Sequence, residues 1–316
     1  MLATPLGKIH VNKEGKMFER ILVPLDGSEL AELGLLYAQE LAVAFNSNID
    51  LLHVCETKRV TNRRMHEQYM ETMSEKVKQY VTTRQARVEP REQLKWTILA
   101  GDPTTTIIDY AEKNDASLVI IASHGRSGIG PWPMGGTATK ILQRSGIPVL
   151  FITARTILTA SSKDSLFSRV IVPLDGTEGG ESVLPFVKEL TSKIAADVTL
   201  FYVISSGRKV HTIGGENYIR YTEQQIEREK SGSKEYLEQV IEKAHGARAN
   251  VKVQVKSGEV SKEVVRFAKE TKAQLIAMAS HGHTALDRWT LGSVAYKVLN
   301  FSSTPVLLVK AQIPKT

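Results

Sequence analysis

Apolar and polar positions alternate along the chain as short apolar runs separated by longer amphipathic stretches. Arg20 to Leu25 is an apolar run that ends in Pro-Leu-Asp-Gly. From Ser28 to Phe45, Ala31, Leu35, Ala38, Leu41 and Ala42 recur at helical spacing on one side, which predicts an amphipathic helix. Ile49 to Val54 reads as a second strand, Lys58 to Arg87 as a long polar amphipathic helix, and Gln93 to Ala100 as a third strand. Gly101-Asp102-Pro103 then breaks the strand and starts a helix, because Asp caps free amides and Pro fits the first turn. Ser117 to Ala122 is a fourth strand, Thr137 to Arg144 a helix, and Pro148 to Thr153 a last strand. The same order returns further on, with strands at Arg169–Leu174, Asp197–Ile204, Val251–Lys256, Gln274–Ala279 and Pro305–Lys310.

The return is literal as well as rhythmic. Ile21-Leu-Val-Pro-Leu-Asp26-Gly-Ser recurs as Val170-Ile-Val-Pro-Leu-Asp175-Gly-Thr, Ala122-Ser-His-Gly125 as Ala279-Ser-His-Gly282, and Gly146-Ile-Pro-Val-Leu-Phe-Ile as Ser303-Thr-Pro-Val-Leu-Leu-Val. Matching blocks in one order at nearly equal intervals mean two copies of one domain. We place an N-terminal extension at 1–17, the first domain at 18–154, a Ser-rich linker at 155–168 and the second domain at 169–316. Strands of continuous apolar content are buried on both faces, as in a parallel sheet covered by helices. Each copy is therefore expected to be an α/β, doubly wound, five-stranded parallel domain with right-handed crossovers. Ligands of such sheets bind past the carboxyl ends of the strands, where strand order reverses. Gly27, Gly101 and Gly125 each directly follow a strand. The two last strands, Val149–Thr153 and Val306–Lys310, are expected to pair with each other, since both are apolar and would otherwise leave open edges.

Composition narrows the class. The chain is 42% hydrophobic and 24% charged, with a formal net charge of +7. Lys and Arg are interspersed with Glu and Asp, as in Glu227-Arg-Glu-Lys230, which reads as a solvated surface rather than a nucleic-acid footprint. No apolar run approaches the ~20 residues that span a bilayer, and Met1 to Lys16 lacks the apolar core of a signal peptide. The single cysteine, Cys55, excludes an internal disulfide and suits a reducing cytosol. It ends an apolar strand, so packing is its expected role.

The candidate chemistry lies in the loop after the fourth strand. In the second copy, Gly282 closes the strand and, after nine intervening residues, Gly292-Ser293 opens a helix. Glycine allows close approach of a phosphate, the free amides of a helix start attract an anion, and the serine hydroxyl adds a donor. Together with the Val-Pro-Leu-Asp-Gly strand end and the final Pro-Val-Leu-Leu-Val strand, these motifs resemble the universal stress protein family over nearly the whole chain. The resemblance implies a flavodoxin-like sheet of the adenine-nucleotide-binding type, pairing through last strands, and, in one branch, ATP binding through a Gly-x2-Gly-x9-Gly-Ser/Thr motif, with a divalent cation such as Mg2+ on the phosphates.

Carried across, the family site puts Pro173 and Asp175 beside adenine and ribose and Val203 against the base. Ala279 and Gly282 border the ribose and phosphates, and Gly292, Ser293 and Val294 hold the phosphates. Ala279 stands where the motif expects its first glycine. In the first copy Pro24, Asp26, Val54, Ala122 and Gly125 match, but the expected Gly-Ser is Gly135-Gly136. A shift of one residue would restore Gly136-Thr137. Pro131 and Pro133 stiffen that loop, so the second copy is expected to hold nucleotide more tightly.

Other residues have plainer readings. Asp26 and Asp175 also suit the capping of the following helix. His124 and His281 either bond their loop or meet phosphate. His281 and His283 have no accompanying Cys or carboxylate cluster, so no metal site is read there. Trp132 and Trp289 each fall seven residues after the loop glycine and suit a shared packing role over the phosphate or between copies, or core filling. The chain has no P-loop and no catalytic triad. The expected function is a cytosolic ATP-binding stress or signalling regulator, an enzyme at most through slow ATP hydrolysis. An interaction module of the same fold without nucleotide is the alternative. A flavin or adenylate-forming enzyme fits less well, because Asp-Gly-Ser before the acidic Glu29 makes a poor phosphate cradle. A homodimer beyond the internal pair is left open.

Overall fold

A computed structural model describes residues 17–55, 63–84, 94–124, 136–144, 146–153, 155–156, 165–205, 207–212, 215–220, 222–281 and 291–311. Gly125, Gly135, Gly282, His283, Trp132 and Trp289 lie outside these residues, as do Pro131 and Pro133. The first copy runs β1 (Arg20–Pro24), α1 (Glu29–Phe45), β2 (Asn48–Cys55), α2 (Arg63–Arg84), β3 (Leu94–Ala100), α3 (Pro103–Lys113), β4 (Leu118–Ala122), α4 (Gly136–Arg144) and β5 (Val149–Ile152). The second runs β6 (Arg169–Leu174), α5 (Glu178–Glu181), α6 (Leu184–Lys193), β7 (Ala196–Ser205), β8 (Gly207–Thr212), β9 (Gly215–Arg220), α7 (Glu223–Gln239), α8 (Ile241–Ala244), β10 (Ala249–Gly258), α9 (Val260–Glu270), β11 (Leu275–Ala279), α10 (Ser293–Phe301) and β12 (Val306–Val309).

All the expected strands join one ten-stranded sheet in the order β10-β7-β6-β11-β12-β5-β4-β1-β2-β3. Within that sheet the strands of each copy are parallel throughout. The copies meet at β5 and β12, which pair antiparallel with Val306 opposite Phe151, Leu307 opposite Leu150 and Leu308 opposite Val149. The expected pairing of last strands is therefore present, and the tandem chain is an internal pseudo-dimer. Because that seam is antiparallel, the carboxyl ends of the two copies' strands open at opposite ends of the sheet.

Alternation along each strand feeds two cores. Ile21 and Val23 belong to one cluster, with residues of α1, α2, α6 and α7. Leu22 belongs to the other, with residues of α3, α4, α9 and α10. Both clusters run through both copies, so neither half buries its apolar surface independently of the other. The linker's end takes part: the Glu40 carboxylate of α1 accepts hydrogen bonds from the Ser165 hydroxyl and the Leu166 amide. Phe167 stacks edge-on against Tyr37. Burial against this segment raises the Glu40 carboxyl above its ordinary range.

Two features depart from a strict repeat. The helix after β6 is broken into α5 and α6, with Gly179-Gly180 in the first piece and Pro185 at the start of the second, whereas α1 is continuous. The second copy also inserts the antiparallel hairpin β8–β9 before α7, which its apolar periodicity did not announce.

Candidate functional site

The switch point lies between β1 and β4 in the first copy and between β6 and β11 in the second. The neighbouring strands pair only briefly there. Leu22 opposite Val119 is the last pair in one copy, and Ile171 opposite Ile276 in the other. Past these pairs the strands diverge and a crevice opens at their carboxyl ends, as reversal of strand order dictates.

Both aspartates stand at the lip of this crevice and do the same work. Asp175 Oδ1 accepts from the Thr177 amide at 3.1 Å and from the Thr177 hydroxyl at 2.6 Å. The same hydroxyl accepts from the Gly180 amide at 3.0 Å. In the first copy Asp26 Oδ1 accepts from the Ser28 amide and hydroxyl at 3.0 and 2.6 Å, and Ser28 accepts from the Ala31 amide at 3.2 Å. The caps are thus Ser28 and Thr177, and each aspartate holds its cap in place. Gly27 and Gly176, with φ of 84° and 83°, make the turn between them, a conformation that only glycine adopts without penalty.

The far side of the crevice is built from β11, β12 and α10. The Ser280 amide donates to the Val309 carbonyl at 2.8 Å, and the Gly292 amide donates to the Ser280 carbonyl at 2.9 Å. This ties the start of α10 to the end of β11. A methyl group on Gly292 would stand 3.0 Å from that carbonyl oxygen, so glycine is needed here for close backbone packing. The Gly292 amide is consumed in this bond. The helix start itself has no side-chain cap, which leaves its first-turn amides, from Ser293 onward, without intrahelical partners.

His281 joins this wall. Its Nδ1 lies 3.0 Å from the Ser280 hydroxyl. Its Nε2 is buried with no hydrogen-bond partner among the described residues. Burial, and secondarily the charge of Lys310, lower its pKa below the ordinary histidine value. Lys310 follows β12 directly and puts a cation beside the crevice. Its position in the first copy is taken by Thr153, since Ala279 pairs Val309 as Ala122 pairs Ile152. The spacing of motifs did not point to Lys310; only strand register brings it to the site.

The other candidates fall as follows. Pro173 is half-buried at the end of β6 and Pro24 is buried at the end of β1. Ala279 and Ala122, 7% and 9% exposed, end β11 and β4. Val203 is 8% exposed and lies in the core cluster on the α9–α10 face, while Val54 is half-buried against the same cluster. At the helix starts, Ala138 and Ile141 are buried in α4 where Ala295 and Val298 are buried in α10. Gly136 therefore stands where Ser293 stands, and Thr137 where Val294 does. The register that would put Thr137 in the serine position is not adopted.

The model of the universal stress protein family matches residues 17–153 and again 166–310. The chain belongs to the universal stress protein family. Among relatives, universal stress protein Slr1230 of Synechocystis sp. is 24% identical over 312 residues, covering 92% of this chain and 99% of that protein. Universal stress protein MJ0531 of Methanocaldococcus jannaschii is 28% identical over 147 residues, 46% of this chain and 84% of that protein. A crystal structure of a universal stress protein from Archaeoglobus fulgidus covers 93% of this chain and 99% of its own, at 21% identity and a TM-score of 0.61. The match to the family model establishes the family, and the likeness to the solved structure shows the fold. No helix among the described residues is long and apolar enough to cross a membrane.

Proposed function

We propose that this universal stress protein is an adenine-nucleotide-binding regulator acting in the cytosol, and that its second copy is the principal ATP site. The observation that carries this is the Nε2 of His281, buried with no hydrogen-bond partner among the described residues, beside the start of α10, which has no side-chain cap among them. Both are features that a bound anion would satisfy. Lys310 supplies a cation at the same place, and Asp175 stands across the crevice on an already ordered turn.

The residues present fit such a ligand. Ser293, Val294 and the amides of the first turn of α10 would hold phosphate, with Gly292 keeping the helix start against β11. Pro173, Asp175 and Ala279 would border the ribose and base. ATP would bring its own triphosphate and, with Mg2+, a hydrolysable bond. The chain contributes binding and orientation. In the first copy Gly136 replaces Ser293 and Thr153 replaces Lys310, so that site lacks the hydroxyl at the helix start and the cation after the last strand.

The test is direct. Purified protein is denatured and the released small molecules are identified by mass spectrometry, with ATP calorimetry on the stripped protein alongside. Released adenine nucleotide, or ATP binding weakened by Ser293→Ala and Lys310→Gln, supports the reading. Neither release nor binding heat would leave the fold as an interaction module without nucleotide.

A further inference from the structure

Three metal-ligating side chains meet in the first copy at a place the repeat does not share. His53 and Cys55 lie on β2 and His66 on α2, and one ligand atom from each falls within 4.8 Å of the others. They come together because alternate residues of β2 face α2, and because the first turn of α2 crosses the end of the strand. The His53 and His66 rings stack at 4.7 Å.

The orientation of His53 is set from behind. Its Nδ1 lies 2.6 Å from the Leu25 carbonyl oxygen. A carbonyl can only accept, so Nδ1 carries the proton, and in the neutral ring Nε2 carries the lone pair. This is the outer-shell arrangement that presents a metal-ligating imidazole, fixing both tautomer and ring direction. His53 is 4% exposed and Cys55 is 9% exposed, while His66 is half-exposed at the rim, so the cluster has a closed base and an open side.

The second copy provides an internal comparison. Pro24 pairs Leu52 as Pro173 pairs Phe201, which equates His53 with Tyr202 and Cys55 with Ile204. The edge-on pairs His53–Tyr69 and Tyr202–Tyr236, both at 6.2 Å, equate Tyr69 with Tyr236 and hence His66 with Ser233. Where the first copy has His, Cys and His, the second has Tyr, Ile and Ser. The surrounding scaffold is the same, so packing alone does not call for these three ligands together.

We propose that His53, Cys55 and His66 form a binding site for a borderline-soft divalent transition-metal ion, with Zn2+ the natural occupant. Two imidazoles and one thiolate suit zinc, and three protein ligands leave its fourth tetrahedral position for water or another donor. The copy with the weaker phosphate cradle would then carry a metal instead. Binding converts the Cys55 thiol to a metal-bound thiolate and releases one proton to solvent for each ion taken up.

The test uses the full chain, stripped with a chelator and dialysed free of it, titrated with Co2+ and then Zn2+. Cys55 is the single cysteine, so any thiolate-to-cobalt charge-transfer band reports this residue. The expected result is one equivalent of Co2+, a near-ultraviolet charge-transfer band, and displacement by Zn2+. Cys55→Ser should abolish the band. His66→Gln, on the half-exposed side of α2, should keep native circular dichroism and weaken Co2+ binding more than about a hundredfold, beyond the ~10–100-fold typical of losing an outer-shell partner. Absence of the band in the wild type, or unchanged affinity in folded His66→Gln, would overturn the proposal.

Discussion

Exchanging one residue between the copies tests the asymmetry of the two nucleotide sites. Gly136 opens α4 where Ser293 opens α10, and a side chain at Gly136 would meet nothing within 4 Å among the described residues. Gly136→Ser therefore adds a hydroxyl without a clash, and greater helix propensity stabilises the fold by at most about 0.5 kcal/mol. Ser293→Gly does the reverse. A hydrogen bond to a charged phosphate contributes roughly 1.5–3 kcal/mol, so Ser293→Gly should weaken ATP at the second copy by roughly ten- to a hundredfold. Gly136→Ser should strengthen the first copy by less, because Thr153 still stands where the second copy has Lys310. Isothermal titration calorimetry of the wild type, each single variant and the double exchange reads both sites, and thermal melts confirm that the fold is intact. The reasoning fails if Ser293→Gly leaves the tighter site unchanged while Asp175→Asn removes it. The hydroxyl would then not reach the phosphate.

Three further outcomes are expected. His281, whose pKa is lowered by burial and by Lys310, favours its neutral form when folded. Its contribution to stability should be complete above the ordinary histidine value of about 6.5 and decline as pH falls below it; NMR titration should show the low pKa, rising in Lys310→Gln, and an unshifted value would contradict the burial argument. Phe151, fully buried at the seam between copies, should cost about 3–5 kcal/mol when replaced by Ala. Denaturant unfolding should show both copies destabilised in one transition, whereas two separate transitions would mean that the shared cores are not cooperative. Thr177→Ala removes the hydroxyl that links Asp175 to the Gly180 amide, and should cost about 1 kcal/mol in a thermal melt; no loss would show that the Asp175 turn is held by other contacts.

Much of the architecture was legible in the chain because the signals are local. Apolar runs located the strands of the ten-stranded sheet, and Gly101-Asp102-Pro103 announced α3, whose cap Asp102 binds the Thr105 amide at 2.9 Å. The repeated strand ends announced two like domains, and their apolar last strands announced the seam. Aspartate before Gly-Ser or Gly-Thr announced a helix start, although only the structure shows that Ser28 and Thr177 are the caps and the aspartates their supports. What sequence could not decide depends on distance between segments and on register. The hairpin β8–β9 arises from pairing that its sequence pattern did not signal. The burial of Ala138 and Ile141 in α4, matching Ala295 and Val298 in α10, agrees with the motif spacing that aligns Gly136 with Ser293. Lys310 reaches the crevice because β12 lies beside β11 in a fixed register, and His66 reaches His53 and Cys55 because α2 folds back over β2. A local pattern specifies which face of an element is apolar; which side chains from different elements meet is decided only when those faces pack.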